Sequence, residues 1–410
     1  VPFVLLAIHR LAVKTNAKNL LLFLGAQLLI APSGHTPTVF YLGAIFWIVY
    51  AFFAARKKQI AARVKLMFTV AVLTLVANAA WIVPSAYYTL HNAHYVAESR
   101  DNALFAPESI ASVREAATWG NFFKDTQYLL TWQDYSFQER KFERIFNEWE
   151  EHLARPQVYL ALMGLGVLTV LGAGVVLLDQ QKGMKRLAVL ALYAGSVVLI
   201  WSDLFPTRFI IDWLYQFDAF TEAFRNAFTK LSVLYSFASV VLFVSTIEWL
   251  ARVVQRKFAA MALIVLCGAV IALTARPSFE GHFLSEKLKV QYPIQYTELF
   301  EYFKTRDANF RVLQLPQLSH AGWEYYDWQF LGEGNGYQGM GFYMFGMPQA
   351  FANRDSDRWV ETSDFFYHEL KPILDTQDAE ALRALLTKYR VDLLVIDETR
   401  IDPAGPHDYE

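Results

Sequence analysis

Apolar runs recur along the chain down to about residue 276 and are separated by short polar segments. Because a helix rises about 1.5 Å per residue, a run of about 20 apolar residues crosses the roughly 30 Å of hydrocarbon in a bilayer. The pattern therefore predicts a mainly α fold, a polytopic bundle of about seven transmembrane helices preceded by an N-terminal remnant. The predicted segments are 1–9 (the remnant), 19–33, 37–55, 65–88, 158–179, 187–203, 228–250 and 258–276. The opening stretch VPFVLLAI is already apolar, so we expect further sequence to precede Val1.

The short polar segments fall into two classes by charge. HRLAVKTNAK, ARKKQIAARVK, QQKGMKR and ARVVQRK are rich in Lys and Arg, whereas APSGHTP, which contains His35, has neither. Basic residues in short loops mark the cytoplasmic side of a membrane protein. The alternation places four regions on the opposite, extracytoplasmic side: the loop of His35, the loop 89–157, the segment 204–227 and everything after residue 276.

Two of these regions carry amphipathic patterns. In 204–227, apolar side chains at steps of four and three predict a helix lying in the membrane surface: Phe209, Trp213, Phe217 and Phe220. In the external loop 89–157, the stretch FQERKFERIFNEWEEHLAR predicts an amphipathic helix over 137–155. Both regions are assigned to a transmembrane helical domain over 1–276, as its external loop 89–157 and its interfacial or re-entrant helix 204–227.

The sequence changes character after Arg276. YTELFEYFKTR predicts a helix and FRVLQLPQ a strand. DRWVETSDFFYHELKPIL and DTQDAEALRALLTKY predict two more helices, the second with Asp375 or Thr376 as its N-cap, and VDLLVIDE predicts a buried strand. Helix followed by strand, twice, predicts a small extracytoplasmic α/β domain over 277–410.

Composition supports a membrane protein. The chain is 55% hydrophobic and 19% charged, against about 45–50% and about 25% in an average soluble protein. The net charge of −2 argues against a nucleic-acid partner. The one cysteine, Cys267, lies in an apolar run and excludes an intrachain disulfide.

The stretch FRNAFTKLSVLYSF contains the most informative charges, Arg225 and Lys230, which the predicted topology places outside, against the usual bias. Two interpretations stand side by side. The long side chains snorkel toward lipid headgroups, or they bind a phosphate or pyrophosphate carried on a lipid, as Arg and Lys do well. The second interpretation gains from the unpaired N–H groups at the start of a helix.

Other candidates are weaker. Trp132 and Asp134, in LLTWQDYSF, are candidate sugar contacts, although a lone Asp in a loop is usually a turn former; His35 and Arg208 are further candidate contacts for the sugar or acceptor. His91 and His94 have the spacing of a metal pair but no third ligand nearby, so we predict no metal site, with a divalent ion left open as a cofactor. Four aromatic residues either stack on sugars or form core, and we expect core: Trp323, Tyr325, Tyr326 and Trp328.

Three stretches occur together in a familiar order: FRNAFTKLSVLYSFASVVLF, NFFKDTQYLLTWQDYSF, and FRVLQLPQ followed by ALLTKYRVDLLVID. Over most of the chain this combination resembles the GT-C superfamily of membrane glycosyltransferases, in particular its YfhO-like and arabinofuranosyltransferase-like bacterial members. The resemblance implies transfer of a sugar from a polyprenyl-phosphate donor to a glycan, lipid or protein acceptor outside the membrane. It also implies a catalytic Asp or Glu in a first external loop, which we expect to precede this sequence, and it assigns the lipid phosphate to Arg225 and Lys230.

Two other function classes remain open. A non-catalytic membrane scaffold with an external binding domain explains the C-terminal region but not the external basic pair. A transporter of a lipid-linked or anionic substrate is typically built from repeats with ionisable groups near the bilayer midplane. The predicted spans hold few such groups and show no repeat, so we rank the glycosyltransferase first, the scaffold second and the transporter third.

Overall fold

The chain is mainly helical and its contacts divide it into two units. The first unit holds Val1–His91, Ala106–Leu130 and Glu148–Glu280; the second holds Asn92–Phe105, Thr131–Asn147 and Gly281–Glu410. Part of the predicted external loop, 131–147, thus belongs to the same unit as the C-terminal region. The computed structural model describes residues 1–35, 37–55, 59–98, 110–126, 130, 132–178, 184–224, 226–255, 257–282, 290–318, 323–329, 336–339, 341–352 and 361–403.

The helices of the first 280 residues follow the predicted spans closely. They are α1 (Pro2–Val13), α2 (Ala17–Ile30), α3 (Pro37–Ala54), α4 (Ile60–Glu98), α5 (110–116), α6 (Trp119–Lys124), α7 (Asn147–Ala154), α8 (Pro156–Leu178), α9 (Met184–Ile200), α10 (Thr207–Leu214), α11 (Asp218–Phe224), α12 (Ala227–Val254), α13 (Lys257–Thr274) and α14 (Arg276–Phe279).

Five of these helices are long and apolar enough to cross a membrane: α3, α4 over Ile60–Asn92, α8, α12 and α13. The three other predicted segments are apolar helices of lesser length: α1, α2 and Leu187–Ile200 within α9. The 14 residues of α2 extend only about 21 Å, less than the roughly 30 Å of hydrocarbon. The structure therefore supports a membrane protein with five candidate spans.

Large apolar side chains point outward from these helices. Phe68 on α4 is 68% exposed, Leu160 on α8 is 69% exposed and Phe258 on α13 is 93% exposed. A water-soluble protein does not expose apolar surface on this scale. Lipid is the solvent that this surface fits.

The centre of the first unit is the packing of α12 against α8 and α9. At the α8 crossing, a Cβ built on Gly172 would lie 2.1 Å from the carbonyl oxygen of Leu242, so only glycine allows this approach. Nearby, the hydroxyl of Thr246 donates a hydrogen bond to the carbonyl of Leu168 at 2.6 Å. Small residues and interhelical hydrogen bonds of this kind hold helices together in lipid, where the hydrophobic effect is absent.

The predicted surface helix over 204–227 is two short helices, α10 and α11. The chain turns at Tyr215–Phe217, where the hydroxyl of Thr221 donates to the Tyr215 carbonyl at 3.1 Å and satisfies one group at the end of α10. The predicted apolar stripe is exposed at its first three positions, with Phe209 67%, Trp213 57% and Phe217 51% exposed. The pattern located the stripe correctly but not the break.

The second unit is a small α/β assembly. Its helices are α15 (Ile294–Lys304), α16 (Glu361–Asp375) and α17 (Ala379–Lys388), and its strands are β1 (Gln133–Ser136), β2 (Lys141–Arg144), β3 (Arg311–Leu315), β4 (Glu324–Tyr326), β5 (Tyr337–Gly339), β6 (Ala350–Ala352) and β7 (Leu393–Ile396). β6, β3 and β7 form a parallel sheet in that order, while β1–β2 and β4–β5 are antiparallel pairs.

Three predictions in this unit need correction. The strand predicted to be buried in VDLLVIDE is β7, which lies at the edge of its sheet with Leu394 42% and Ile396 68% exposed. The N-cap of α17 is Asp378, whose carboxylate accepts from the N–H of Ala381 at 2.9 Å, and not Asp375 or Thr376. The predicted helix over 137–155 is helical only at α7, because residues 141–144 form β2. Its Phe142 lies opposite Tyr135 in the register, with ring centroids 5.5 Å apart.

A buried ion pair lies beneath β4. The guanidinium of Arg400 and the carboxylate of Glu324 are 3.4 Å apart, with 1% and 0% of the side chains exposed. Tyr326 donates its hydroxyl proton to Glu324 at 2.7 Å, and Gln314 donates to the Tyr326 oxygen at 2.9 Å. Arg400 also donates to the carbonyl of Pro316 at 2.7 Å. Each charge is thus paired and hydrogen-bonded, as burial requires.

Candidate functional site

The first candidate site begins at α6, a six-residue helix in the loop 89–157. The sequence TWGNFFKD defines both of its ends. Thr118 is the N-cap, and its hydroxyl accepts from the N–H of Asn121 at 3.2 Å. Asp125 is the C-cap with a φ of 55°, in the left-handed region that Asp tolerates better than most residues.

A glycine of α8 allows α6 to enter the helical bundle. A Cβ built on Gly166 would lie 1.9 Å from the carbonyl oxygen of Phe123, so the two backbones touch there. The ammonium of Lys124 lies 5.1 Å from the ring centre of Tyr159, one turn into α8. Gly166 is ten residues from the start of α8 at Pro156, about 15 Å along its axis. α6 is therefore a re-entrant element packed beside a candidate span.

Asp125 meets aromatic side chains of two other helices at this depth. Tyr235 of α12 lies beside its carboxylate, close enough for its hydroxyl to favour the ionised form, and the Tyr235 and Tyr193 rings stack with centroids 5.5 Å apart. Just before Asp125, Phe122 meets Trp201 edge-on, with ring centroids 5.6 Å apart. Tyr235 lies eight residues from the start of α12, about 12 Å along the helix. The acid thus sits inside the bundle and near one end.

Burial by surrounding protein raises the pKa of Asp125 to about 6, although the Tyr235 hydroxyl opposes this shift. The residue is nevertheless exposed, so it is accessible from the surface and not enclosed in a sealed core. An accessible carboxyl with a pKa near neutral is suited to accept or donate a proton.

Gly166 and Gly164 give a matched pair that tests this placement. Gly166→Ala is expected to push α6 away from α8, since the added methyl would overlap the Phe123 carbonyl, whereas Gly164 has nothing within 4 Å of its Cβ position. Overpacking of this kind costs about 1–3 kcal/mol. Hydrogen exchange of residues 119–126 should accelerate in Gly166→Ala and not in Gly164→Ala. Equal exchange in both variants would contradict the re-entrant packing.

Lys230, one of the two predicted phosphate contacts, lies at the start of α12. Asn226 is its N-cap, with its side chain accepting from the N–H of Thr229, so Lys230 belongs to the first turn as predicted. Lys230 is half-buried and lies about 7.5 Å before Tyr235 along the helix axis. Arg225 lies outside the described residues. Lys230 and Asp125 therefore lie toward the same end of α12.

Arg208 forms ion pairs within the first unit. Its guanidinium lies 3.6 Å from the carboxylates of both Asp203 and Asp212, and Asp212 also accepts a hydrogen bond from Arg114 of α5. This charge cluster joins α10 to the loop that carries α6. The structure thus gives Arg208 ion-pair partners within the first unit, and its predicted sugar contact stays a prediction.

A second candidate site is a cleft in the second unit with a volume of about 370 Å³. It brings the predicted pair Trp132 and Asp134 together, the indole N–H donating to the carboxylate at 3.2 Å. Among the four aromatic residues expected to be core, three are buried, but Trp323 is 41% exposed and lines this cleft. The other lining residues are Tyr135, Ser136, Phe137, Gln138, Ile145, Val290, Gly336, Tyr337 and Gln338.

The structure describes few contacts of the three histidines considered as ligand or metal contacts, His35, His91 and His94. His35 ends a 3-10 turn over Ala31–His35, and its side chain is outside the described part of the structure, as is that of His94. His91 bonds to the carbonyl of Tyr87 at 2.8 Å and stacks on that ring. The described residues contain no group of three or more metal-ligating side chains.

Sequence reasoning missed Asp125. The usable signal was local: a Thr N-cap and an acidic residue enclosing WGNFFK, a helix that is too short for periodicity but is almost entirely aromatic and small. No family model matches the chain, and neither a curated protein nor a solved structure matches it, so the resemblance to the GT-C superfamily stays a prediction.

Proposed function

We propose that the chain is part of a membrane glycosyltransferase that moves a sugar from a polyprenyl-phosphate donor to a glycan, lipid or protein acceptor. The observation that supports this most directly is Asp125, an accessible carboxyl inside the helical bundle whose pKa is raised to about 6. Sugar transfer to a hydroxyl needs a base of this kind. The resemblance to the GT-C superfamily gives that role to an acid in a loop before this sequence, and we assign it instead to Asp125. Transfer also needs cations at the departing phosphate, a role for which Arg225 and Lys230 have suitable chemistry.

In the proposed reaction, the acceptor oxygen forms a bond to the anomeric carbon as the bond from that carbon to the phosphate oxygen breaks. The acceptor proton passes to Asp125, and the bonding electron pair leaves with the phosphate. Lys230, in the first turn of α12, and Arg225, which precedes that helix in the sequence, stabilise the negative charge on that phosphate. Tyr235 lies beside the Asp125 carboxylate and favours its ionised form, the form that accepts the proton.

The proposed topology has about seven spans plus the N-terminal remnant, with the C-terminal α/β domain on the extracytoplasmic side. The basic loops support this orientation. Lys230 and Asp125 lie toward the same end of α12, so a lipid carrier whose tail enters the membrane there would present its headgroup near both. The polyprenyl tail would run along lipid-facing helices.

A scaffold is the second candidate, and the separate cleft of the second unit favours it. A scaffold would bind its partner through that cleft while catalysing nothing. Transfer activity therefore separates the two functions directly.

In the full-length protein, Arg225→Ala and Lys230→Ala are each expected to lower transfer by about 10- to 150-fold. This range follows from the roughly 1.5–3 kcal/mol of a hydrogen bond to a charged group. The measurement is transfer of labelled sugar from polyprenyl-phosphate donors by membranes that contain each variant. Arg252→Ala, in the last turn of α12, is the matched control at the opposite end. Full transfer by both variants would remove the phosphate role, and no transfer by the unmodified protein would favour the scaffold.

A further inference from the structure

The cleft of the second unit has walls built from two hairpins that support each other. The N–H of Tyr135 in β1 donates to the side-chain oxygen of Gln338 in β5 at 2.9 Å. Tyr135 also meets Tyr325 of β4 edge-on, with ring centroids 5.9 Å apart. At Gly336, with a φ of +139°, a Cβ would lie 2.5 Å from the Tyr326 carbonyl oxygen. A glycine is required there, and the wall is closely packed.

Two tryptophans of this cleft keep much of their surface exposed. Trp132 is 39% exposed and Trp323 is 41% exposed, and both line the same cleft. Nearby Tyr326 and Trp328 are fully buried, so the unit satisfies its core with other aromatic side chains. Exposed tryptophans grouped in a concave site are typical of ligand contact rather than of folding.

Polar side chains lie between these aromatic surfaces. Asp134 accepts from the Trp132 indole N–H at 3.2 Å, a contact that fixes the orientation of the ring. An ionised carboxylate only accepts hydrogen bonds, so its chemistry suits a hydroxyl donor on a ligand. The amides of Gln138 and Gln338 add donors and acceptors to the lining. The cleft thus offers aromatic faces together with groups that bind hydroxyls.

We propose that this cleft binds a neutral saccharide, with Trp132 and Trp323 contacting the apolar faces of sugar rings and Asp134 accepting from a sugar hydroxyl. A pyranose or furanose ring has an apolar C–H face and a rim of hydroxyl donors, which matches this combination. The volume of about 370 Å³ lies in the range of small-molecule pockets and accommodates one or two sugar rings.

A proline-rich peptide is the other class of ligand that aromatic grooves bind. Such grooves hold the peptide by donating hydrogen bonds from side chains to its carbonyl groups. In this cleft the Trp132 indole donor is already directed to Asp134, and a carboxylate repels a peptide carbonyl. The saccharide therefore fits the cleft better.

The test is calorimetric titration of the full chain with maltotetraose, mannotetraose and an arabinofuranose tetrasaccharide. Lipid nanodiscs are needed, because sugar-headed detergents would compete. We expect saturable binding of at least one saccharide, and an affinity lowered at least tenfold by Trp132→Ala and by Trp323→Ala. Asp134→Asn, which keeps the shape of the side chain, is expected to weaken the same binding.

Trp213→Ala is the matched control, since Trp213 is an exposed tryptophan of the first unit. Unchanged secondary structure and hydrogen exchange in β4 and β5 would show that the cleft variants are folded. Absence of saturable binding by all three saccharides would overturn the proposal, as would equal affinity in Trp132→Ala, Trp323→Ala and Trp213→Ala. Binding of a proline-rich peptide in place of the saccharides would also overturn it. No donor is present, so the result is independent of transferase activity.

Discussion

Replacing Asp125 by Asn is expected to lower sugar transfer by about 10²- to 10⁴-fold, the usual contribution of a general base. Asn keeps the size of the side chain and a polar group beside Tyr235, so the packing of α6 should persist. What is lost is the ability to take a proton from the acceptor hydroxyl. The measurement is transfer from a polyprenyl-phosphate sugar by the full-length protein.

The pH dependence of transfer gives a sharper test of the same residue. Desolvation raises the pKa of Asp125 to about 6, so the carboxyl is mostly protonated at pH 5 and mostly ionised at pH 7. A base acts in its ionised form, and transfer should therefore rise with pH through about 6 and then level off. In Asp125→Asn this rise should disappear from the residual activity.

Two controls make the Asp125 result interpretable. Asp307→Asn, at an exposed carboxylate of the second unit, should leave both rate and pH profile unchanged. Equal membrane insertion and equal hydrogen exchange of 119–126 would exclude a folding defect in Asp125→Asn. If the variant transfers sugar at the normal rate, or keeps the rise near pH 6, Asp125 is not the base.

Removing Glu324 is expected to produce the largest loss of stability in the second unit. Glu324→Ala leaves the guanidinium of Arg400 buried without its carboxylate partner and removes the acceptor of the Tyr326 hydroxyl. Breaking a buried pair from one side costs about 3–5 kcal/mol. Hydrogen exchange in β3 and β4 should accelerate by roughly 10²- to 4 × 10³-fold, since about 1.4 kcal/mol corresponds to a factor of ten.

The same unit contains an exposed pair for comparison. Glu301 and Lys304 lie 2.6 Å apart on α15 with more than half of each side chain exposed. Glu301→Ala should change stability by less than about 1 kcal/mol, because surface ion pairs contribute little. A Glu324→Ala protein as stable as Glu301→Ala would show that the buried pair does not hold β4 in place.

The hydrophobic pattern predicted those helices and strands whose type depends on their own residues and not on distant contacts. Apolar runs predicted α3, α4, α8, α12 and α13 because lipid imposes one rule on every span. The strands β3 and β7 were also predicted, because each contains a short run of apolar, partly β-branched residues. The burial of β7 was not predicted correctly, since it is an edge strand with Leu394 42% and Ile396 68% exposed. For the spans and for these strands, the local pattern alone determines the type of element.

Elements that depend on distant residues were not predictable. The residues of β2 were expected to be helical because of their amphipathic pattern. They form a strand because they pair with β1, where Phe142 lies opposite Tyr135, and β1 is in turn held by Gln338, 203 residues away. α6 is too short to show a helical period, and its position depends on Gly166 in another helix. Asp125 is a candidate base because of its surroundings, which include Tyr235 of another helix. Single-sequence patterns do not contain these pairings.

α13 has a consequence for handling the protein. Only 11% of its apolar window is buried inside the protein, and the ring of His152 contacts the carbonyl of Leu273 near its end at 2.8 Å. Hydrocarbon chains, more than neighbouring helices, thus keep this segment in place. Extraction with a harsh, short-chain detergent should therefore loosen α13 early, and with it the start of the chain that leads into the C-terminal region. Bilayer mimics with long acyl chains should preserve the helix.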